Sequence, residues 1–208
     1  MRLATAIARA AGRLSRLSGR GGTSLPGKVL LRLQPDAIAR LGGRLPQGAA
    51  VLSATNGKTT TAAMVAAILD RRGTRLVHNR AGANMAGGVA TALLDARGRR
   101  DLGLFEVDEF WLAGVVDQLR PRALLLANLF RDQLDRYGEL ETIADRWAGV
   151  VDAAAGRGTR LVLNADDPLV ADLGRDVAAD QVTFFGVEDA SLALPGLQHA
   201  ADSKHCRR

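Results

Sequence analysis

The run Ser-Ala-Thr-Asn-Gly-Lys-Thr-Thr-Thr at residues 53–61 constrains this chain more than any other. It follows a short apolar stretch, Ala49–Ala54, and opens a glycine- and proline-free stretch, Thr59–Arg72, that reads as a helix with Met64, Ile68 and Leu69 as its apolar side. A strand that turns into a helix through Gly-Lys-Thr aims backbone N–H groups and the positive helix end at one point. Gly57 permits the close approach that a phosphate oxygen needs. Lys58 is placed for the β- and γ-phosphates and the Thr59 hydroxyl for Mg²⁺, with Thr55, Asn56 and Thr60 completing the loop. The generic phosphate-loop pattern asks for glycine at position 52, where this chain has Leu52. A glycine turn that merely caps a helix is the plainer alternative.

The flanking pattern supports the loop. Short apolar runs at Arg75–Asn79, Leu102–Val107, Ala123–Leu129, Arg160–Asn164 and Val182–Gly186 alternate with helical stretches at Met85–Arg97, Phe110–Leu119 and Leu140–Ala155. Such alternation predicts an α/β domain, a mostly parallel sheet with helices on both faces. Ligands of such sheets bind beyond the C-terminal ends of the strands, so the residues following each strand are the candidates. Residues 49–188 form the expected nucleotide-binding domain. Residues 1–48 form a helical leader and linker, in which Val29–Leu33 reads as a short strand. Residues 189–208 lose periodicity and end in Lys-His-Cys-Arg-Arg, as if the chain stopped inside a further segment.

Charge separates the leader from the body. Residues 1–48 hold nine basic residues and one acidic residue, Asp36, whereas the remainder holds 19 basic and 21 acidic residues. A nucleic-acid binder carries its positive charge on the folded domain, so nucleic acid is not the expected partner. At about 100° per residue, Arg2, Arg9, Arg13, Arg16 and Arg20 share one stripe and Leu3, Ile7, Ala10, Leu14 and Leu17 the next. A helix over residues 2–20 is expected, docked on the body with its arginines in water; a helix lying on an anionic membrane surface is the alternative. No apolar run approaches the roughly 18 residues of a membrane span, and arginines interrupt any signal-peptide core. A single cysteine, Cys206, excludes an internal disulfide. A cytoplasmic protein is expected, with a peripheral position at the inner face of the membrane as the alternative.

Four strand ends carry further signals. Glu106 ends the run Leu102–Val107 and is placed to hold Mg²⁺ against phosphates, while Asp108 and Glu109 read as solvated loop acids. Asn128–Glu139 mixes amide, Arg, Asp and Gln, and by bare chemistry is as much a helix start capped by Asp132 or Asp135 as a binding loop. Asn79–Met85 offers amide and backbone donors to a polar substrate. Asp167 before Pro168 is a helix-start signature.

Together these loops resemble the Mur ligase family. Ser53–Thr60 matches that family's T-G-T-N-G-K-T-T with Ser53 and Ala54 as departures. Glu106 matches its strand-end glutamate. Asn128, Asp132, Leu134 and Asp135 match its N-x-x-x-D-H-L-D with Gln133 in place of His, and Asn164, Asp166 and Asp167 match its N-x-D-D. The Gln133 departure, with the segments around it, is similar to the branch of the family that amidates lipid II.

The resemblance implies a central ATP-binding domain and an ATP-dependent carbon–nitrogen ligase that amidates the D-glutamate α-carboxylate of the lipid II stem peptide through an acyl phosphate. Ammonia would come from a GatD-like glutamine amidotransferase partner. Lys58 and Glu106 would be catalytic, and Thr59 and Glu106 would hold Mg²⁺. Thr55–Thr60, Asn128 and Asp132 would bind ATP. Asn79, Arg80 and Asn84 would face the substrate, and Cys206 would be the first ligand of a zinc ribbon. A folylpolyglutamate-type or amino-acid-adding ligase is the alternative, as is a nucleotide-binding module inactive alone. The chain by itself is expected to bind ATP weakly and not to turn over.

Overall fold

The computed structural model describes residues 1–17, 24–79, 82–130, 140–189 and 191. Six strands build the core: β1 Ala49–Ser53, β2 Leu76–His78, β3 Leu102–Glu106, β4 Ala123–Leu126, β5 Arg160–Asn164 and β6 Val182–Phe185. They lie side by side in the order β2-β3-β1-β4-β5-β6, every neighbouring pair parallel. The sheet carries α4 Lys58–Arg71, α5 Ala86–Asp95, α6 Leu112–Leu119, α7 Leu140–Ala155 and the short α8 Pro168–Asp172. Three helices precede it: α1 Arg2–Leu17, α2 Leu25–Leu33 and α3 Ala37–Gly42. Among the described residues no helix is long and apolar enough to cross a membrane.

The strand order dictates where the helices go. From β1 the chain steps one way across the sheet to β2, and from β2 onward every step runs the other way. Right-handed crossovers then put α4 on one face and α5, α6, α7 and α8 on the opposite one, as expected of helices on both faces. The populated face buries alternate strand residues: Leu124, Leu126, Leu161 and Leu163 are fully enclosed beneath Trp147 and Val151 of α7, while Leu125 and Val162 are only half-buried. Alternation at period two is what one well-covered face produces.

On the other face α4 meets the sheet through Lys58, Ala62, Val65 and Leu69, a helical spacing. Met64 and Ile68 lie one position round the helix and are 56% exposed each. The apolar side expected for this helix therefore holds only at Leu69, because small Ala62 lets α4 sit close to β3.

Residues 29–33 are not a strand but the second half of α2. Pro26 lies in its first turn, where its fixed φ suits a helix start and its missing N–H costs nothing. A five-residue apolar run does not by itself distinguish the two states. What decides is the fit of α2 against α5. The Gly27 N–H donates to Thr91 Oγ1 at 2.8 Å, and a Cβ on Gly27 would stand 1.8 Å from the Gly87 carbonyl oxygen. Such an approach needs glycine. Behind it Leu30, Ala37 and Ile38 are fully buried, and α3, absent from the sequence reading, fills the space against α5 and α6.

The leader helix docks, but not on its leucines. Ala8, Gly12 and Ser15 of α1 are buried and Ala4 and Ala11 half-buried, facing α2. Arg9 Nη2 donates to the Leu94 carbonyl at 3.0 Å. Leu3 and Leu14 remain 75% and 68% exposed. The small-residue face lets the helices approach closely, which leucines there would prevent.

Candidate functional site

The reversal of chain direction opens a crevice at the C-terminal end of β1. There the chain leaves β1 for α4 on one face, while from β3 and β4 it leaves for the other. Residues 54–57 form the turn between β1 and α4. Gly57 has φ +78°, the left-handed conformation that glycine adopts without steric cost. The first backbone bond of α4 runs from Thr61 N–H to the Gly57 carbonyl. The N–H groups of Gly57, Lys58, Thr59 and Thr60 therefore precede the intrahelical ladder and face the crevice end of the helix dipole.

The strand ends on either side hold this turn in shape. On the β4 side, Asn128 accepts at its carbonyl from Thr55 N–H (2.9 Å) and at its side-chain oxygen from Asn56 N–H (2.9 Å), and its amide donates to the Asn56 carbonyl (3.1 Å). Thr55 Oγ1 accepts from Phe130 N–H. Asn128 thus braces the loop by three bonds. Asp167, fully buried, caps α8 by accepting from Leu169 and Val170 N–H and reaches across to Leu129 N–H at 2.8 Å. Its expected cap role is confirmed, and it also locks the segment that follows β4.

On the β3 side, Thr59 Oγ1 lies 3.2 Å from Glu106 Oε1. Glu106 is 1% exposed. Asn79 fixes its backbone: the Asn79 amide donates to the Glu106 carbonyl (2.7 Å) and the Ala83 carbonyl (2.8 Å), and its oxygen accepts from Glu106 N–H (3.0 Å). Every polar atom of the Asn79 side chain is occupied in positioning the metal candidate. Asn84 is half-buried at the same edge, its carbonyl accepting from Asp108 N–H.

Lys58 is buried. Its ammonium donates to the Ala54 and Thr55 carbonyls and forms an ion pair with Glu109 at 3.1 Å, side chains 10% and 2% exposed. Asp108 and Glu109 are therefore not solvated loop acids, being 6% and 4% exposed. After Glu106 the chain keeps to β1, Val107 N–H donating to the Leu52 carbonyl and Ser53 Oγ to the Val107 carbonyl. This continuation tucks the two acids beneath the loop. Glu109 is the functional residue that sequence reasoning missed, although its place three residues after Glu106 was visible. Its second oxygen is buried without a hydrogen-bond partner among the described residues.

A groove of about 810 Å³ runs along the outer edge of β2 between α4 and α5, with Thr59, Asn79 and Glu106 at one end and Asp70, Arg75 and Arg100 at the other. Its upper end opens onto the Thr59–Glu106 pair. A hydroxyl and a carboxylate are hard oxygen donors that suit Mg²⁺. No cluster of three or more His, Cys, Asp or Glu exists among the described residues, so phosphate oxygens and water would complete the shell. The crevice unites Thr55–Thr60, Glu106 and Asn128. Arg80, Asp132 and Cys206 lie outside the described residues.

Comparison with known proteins agrees with this fold. Residues 53–206 match the family model described as the Mur ligase middle domain. The chain is 32% identical over 191 residues to the lipid II isoglutaminyl synthase (glutamine-hydrolyzing) subunit MurT of Staphylococcus aureus (strain N315), and 38% identical over 197 residues to that of Streptococcus pneumoniae (strain ATCC BAA-255 / R6). Each match covers 90% of this chain and 42% of the relative, so the chain spans less than half the length of these relatives. In fold it is similar to the MurF ligase of Thermotoga maritima solved in complex with ADP, with a TM-score of 0.59 at 18% identity over 76% of this chain and 37% of that one.

Proposed function

The chain belongs to the Mur ligase family, and from that premise we propose that it is the ATP-binding part of a ligase that amidates the D-glutamate α-carboxylate of lipid II. The observation that carries the reading is the Thr59 hydroxyl beside the buried Glu106 carboxylate at the mouth of a Gly-Lys-Thr loop. The choice of substrate rests on the MurT relatives, whose likeness spans 90% of this chain, more than the middle domain alone.

The proposed chemistry uses each residue once. The N–H groups of Gly57 to Thr60 cradle the phosphates of ATP. Lys58 exchanges its loop carbonyls for phosphate oxygens and neutralises charge on the transferred group, with Glu109 positioning it from behind. Thr59 and Glu106 would hold Mg²⁺, which would supply Lewis-acid stabilisation of phosphate charge. A substrate carboxylate oxygen attacks the γ-phosphorus and ADP leaves, giving an acyl phosphate. Ammonia then attacks the carbonyl carbon, and the tetrahedral intermediate expels phosphate. A GatD-like glutamine amidotransferase would release that ammonia from glutamine. The groove along β2 is the approach for the acceptor, with Asn79 positioning Glu106 and with Arg80 and Asn84 on the substrate side.

The test is amidation of lipid II by the full-length protein with a glutamine amidotransferase partner, ATP and glutamine, read by mass spectrometry. A gain of the amide on the D-glutamate α-carboxylate, lost in Glu106→Gln, is expected. Addition of an amino acid in place of ammonia would move the protein to another branch of the family. ATP-independent product would overturn the ligase reading.

A further inference from the structure

We infer that α1 is an anionic-membrane docking helix, carried on the domain by its small-residue face. This goes beyond the ligase reading and does not rest on it.

The helix has three sides. At about 100° per residue, Ala4, Ala8, Ala11, Gly12 and Ser15 form the side turned to the body. Leu3, Ile7 and Leu14 form a second side, 75%, 44% and 68% exposed. Arg2, Arg9 and Arg13 form the third and are exposed, Arg9 also donating one bond to the Leu94 carbonyl. Exposed Ala6 and Ala10 lie between the leucine and arginine sides, so the outward half of α1 is an apolar stripe beside a cationic one.

A soluble domain that merely needed to park a helix would put the leucines inside, because burying a leucine side chain stabilises far more than burying an alanine. Here alanines and a glycine hold the helix and the leucines are left facing out. The occupant that meets both outward stripes is a bilayer surface with negative headgroups: leucines enter the acyl boundary and arginines pair with phosphates. Charge complementarity selects this occupant. No acidic residue precedes Asp36, so no side chain of α1 or α2 repels an anionic surface. The exposed apolar pair on α4, Met64 and Ile68, lies beside Arg71 and Arg72 but covers a single turn, whereas the stripe on α1 runs from Leu3 to Leu14.

Flotation with vesicles of phosphatidylglycerol and phosphatidylcholine tests the inference. The wild-type chain is expected to float with vesicles rich in phosphatidylglycerol and not with pure phosphatidylcholine, and to dissociate as salt is raised to about 0.5 M. The pair Ile7→Glu and Leu14→Glu should lower partitioning more than tenfold. Arg2→Gln and Arg13→Gln should lower it roughly fivefold each. Met64→Glu with Ile68→Glu on α4 should leave it unchanged. Equal binding to both vesicle types, no binding, or full binding by the Ile7→Glu, Leu14→Glu variant overturns the inference. So does a dimer in light scattering that this variant abolishes, which would assign the face to a second copy. Circular dichroism of each variant establishes that the fold is retained, since all the substituted side chains are exposed.

Discussion

The phosphate-loop corner and the leader helices are held in opposite ways. At the corner almost every contact is polar and directed: Asn128 braces Asn56 with both ends of its amide, Asn79 clamps Glu106, Asp167 gathers three N–H groups, and Lys58 meets Glu109 in a buried ion pair. In the leader the decisive contacts are steric. Gly27 lies against Gly87, and α1 rests on alanines. Directed bonds fix where a few atoms stand, which a reaction site requires. Close packing fixes only that two helices stay together, which suffices for a helix whose work is on its outer side.

The sharpest way to break this comparison is Lys58→Ala. Removing one partner of a buried ion pair leaves Glu109 charged and enclosed, at a cost of about 3–5 kcal/mol. Chemical denaturation of the chain should show that loss, and the double variant Lys58→Ala, Glu109→Gln should recover most of it. Affinity for a fluorescent ATP analogue should fall in both variants and stay low in the double one. If the double variant also recovers nucleotide affinity, Lys58 is a structural cation and the corner is no phosphate site.

The leader should fail by overlap rather than by loss of a bond. Gly27→Val forces atoms into the Gly87 carbonyl and should cost about 3 kcal/mol, read as a lower denaturation midpoint. Nucleotide affinity should change little, because α2 does not touch the loop. Gly27→Ala should be milder but in the same direction. Equal stability of Gly27→Val and wild type would mean that α2 does not dock as described.

Legibility in the sequence divides along the same line. The corner was readable because Gly57, Lys58 and Thr59 are adjacent and their chemistry depends on spacing along the chain, and because a strand-end glutamate is a local feature. The parallel sheet was readable because each strand announces itself by composition. The burial of Glu109 was not, since it depends on β3 continuing beside β1 beyond Glu106. The docking face of α1 was not readable either. Amphipathicity shows which side of a helix is apolar, while its partner decides which side is buried, and the residues that meet α1 and α2, Leu94 and Thr91, lie 85 and 64 positions away. The same dependence turned residues 29–33 from an expected strand into a helix.

Between these extremes stands Asn128, whose brace is polar but whose atoms touch only the loop backbone. Asn128→Ala removes two side-chain bonds to Asn56, on an exposed stretch, at about 1 kcal/mol for the pair. The expected signature is a threefold to tenfold weaker nucleotide affinity with an almost unchanged denaturation midpoint, since the loop loses its shape and the core does not. A large stability loss with normal affinity would place Asn128 with the leader contacts instead.

The smallest expected effect concerns acid, and it separates both regions from the far edge of the sheet. Asp101 accepts from the Arg75 guanidinium at 2.8 and 2.9 Å and from Arg75 N–H at 3.0 Å, joining the starts of β2 and β3. These bonds, the guanidinium first, hold its carboxyl at about 2, below the ordinary 3.8. The unfolded chain therefore binds the proton first as pH falls. The contribution is fully present above about pH 4 and disappears as pH drops through 4 towards 2. Asp36 is lowered by its Arg40 and Gln34 partners but stands in solvent, where screening weakens the pair. Denaturation midpoints measured between pH 5 and pH 3 should fall less steeply in Asp101→Asn than in wild type, with Asp36→Asn between the two. Because Asp101 sits at the end of β2 remote from Glu106, the acid-induced loosening should weaken hydrogen-exchange protection at β2 before it reaches the phosphate loop. Simultaneous loss at both ends would show that the directed network of the corner extends along the whole strand.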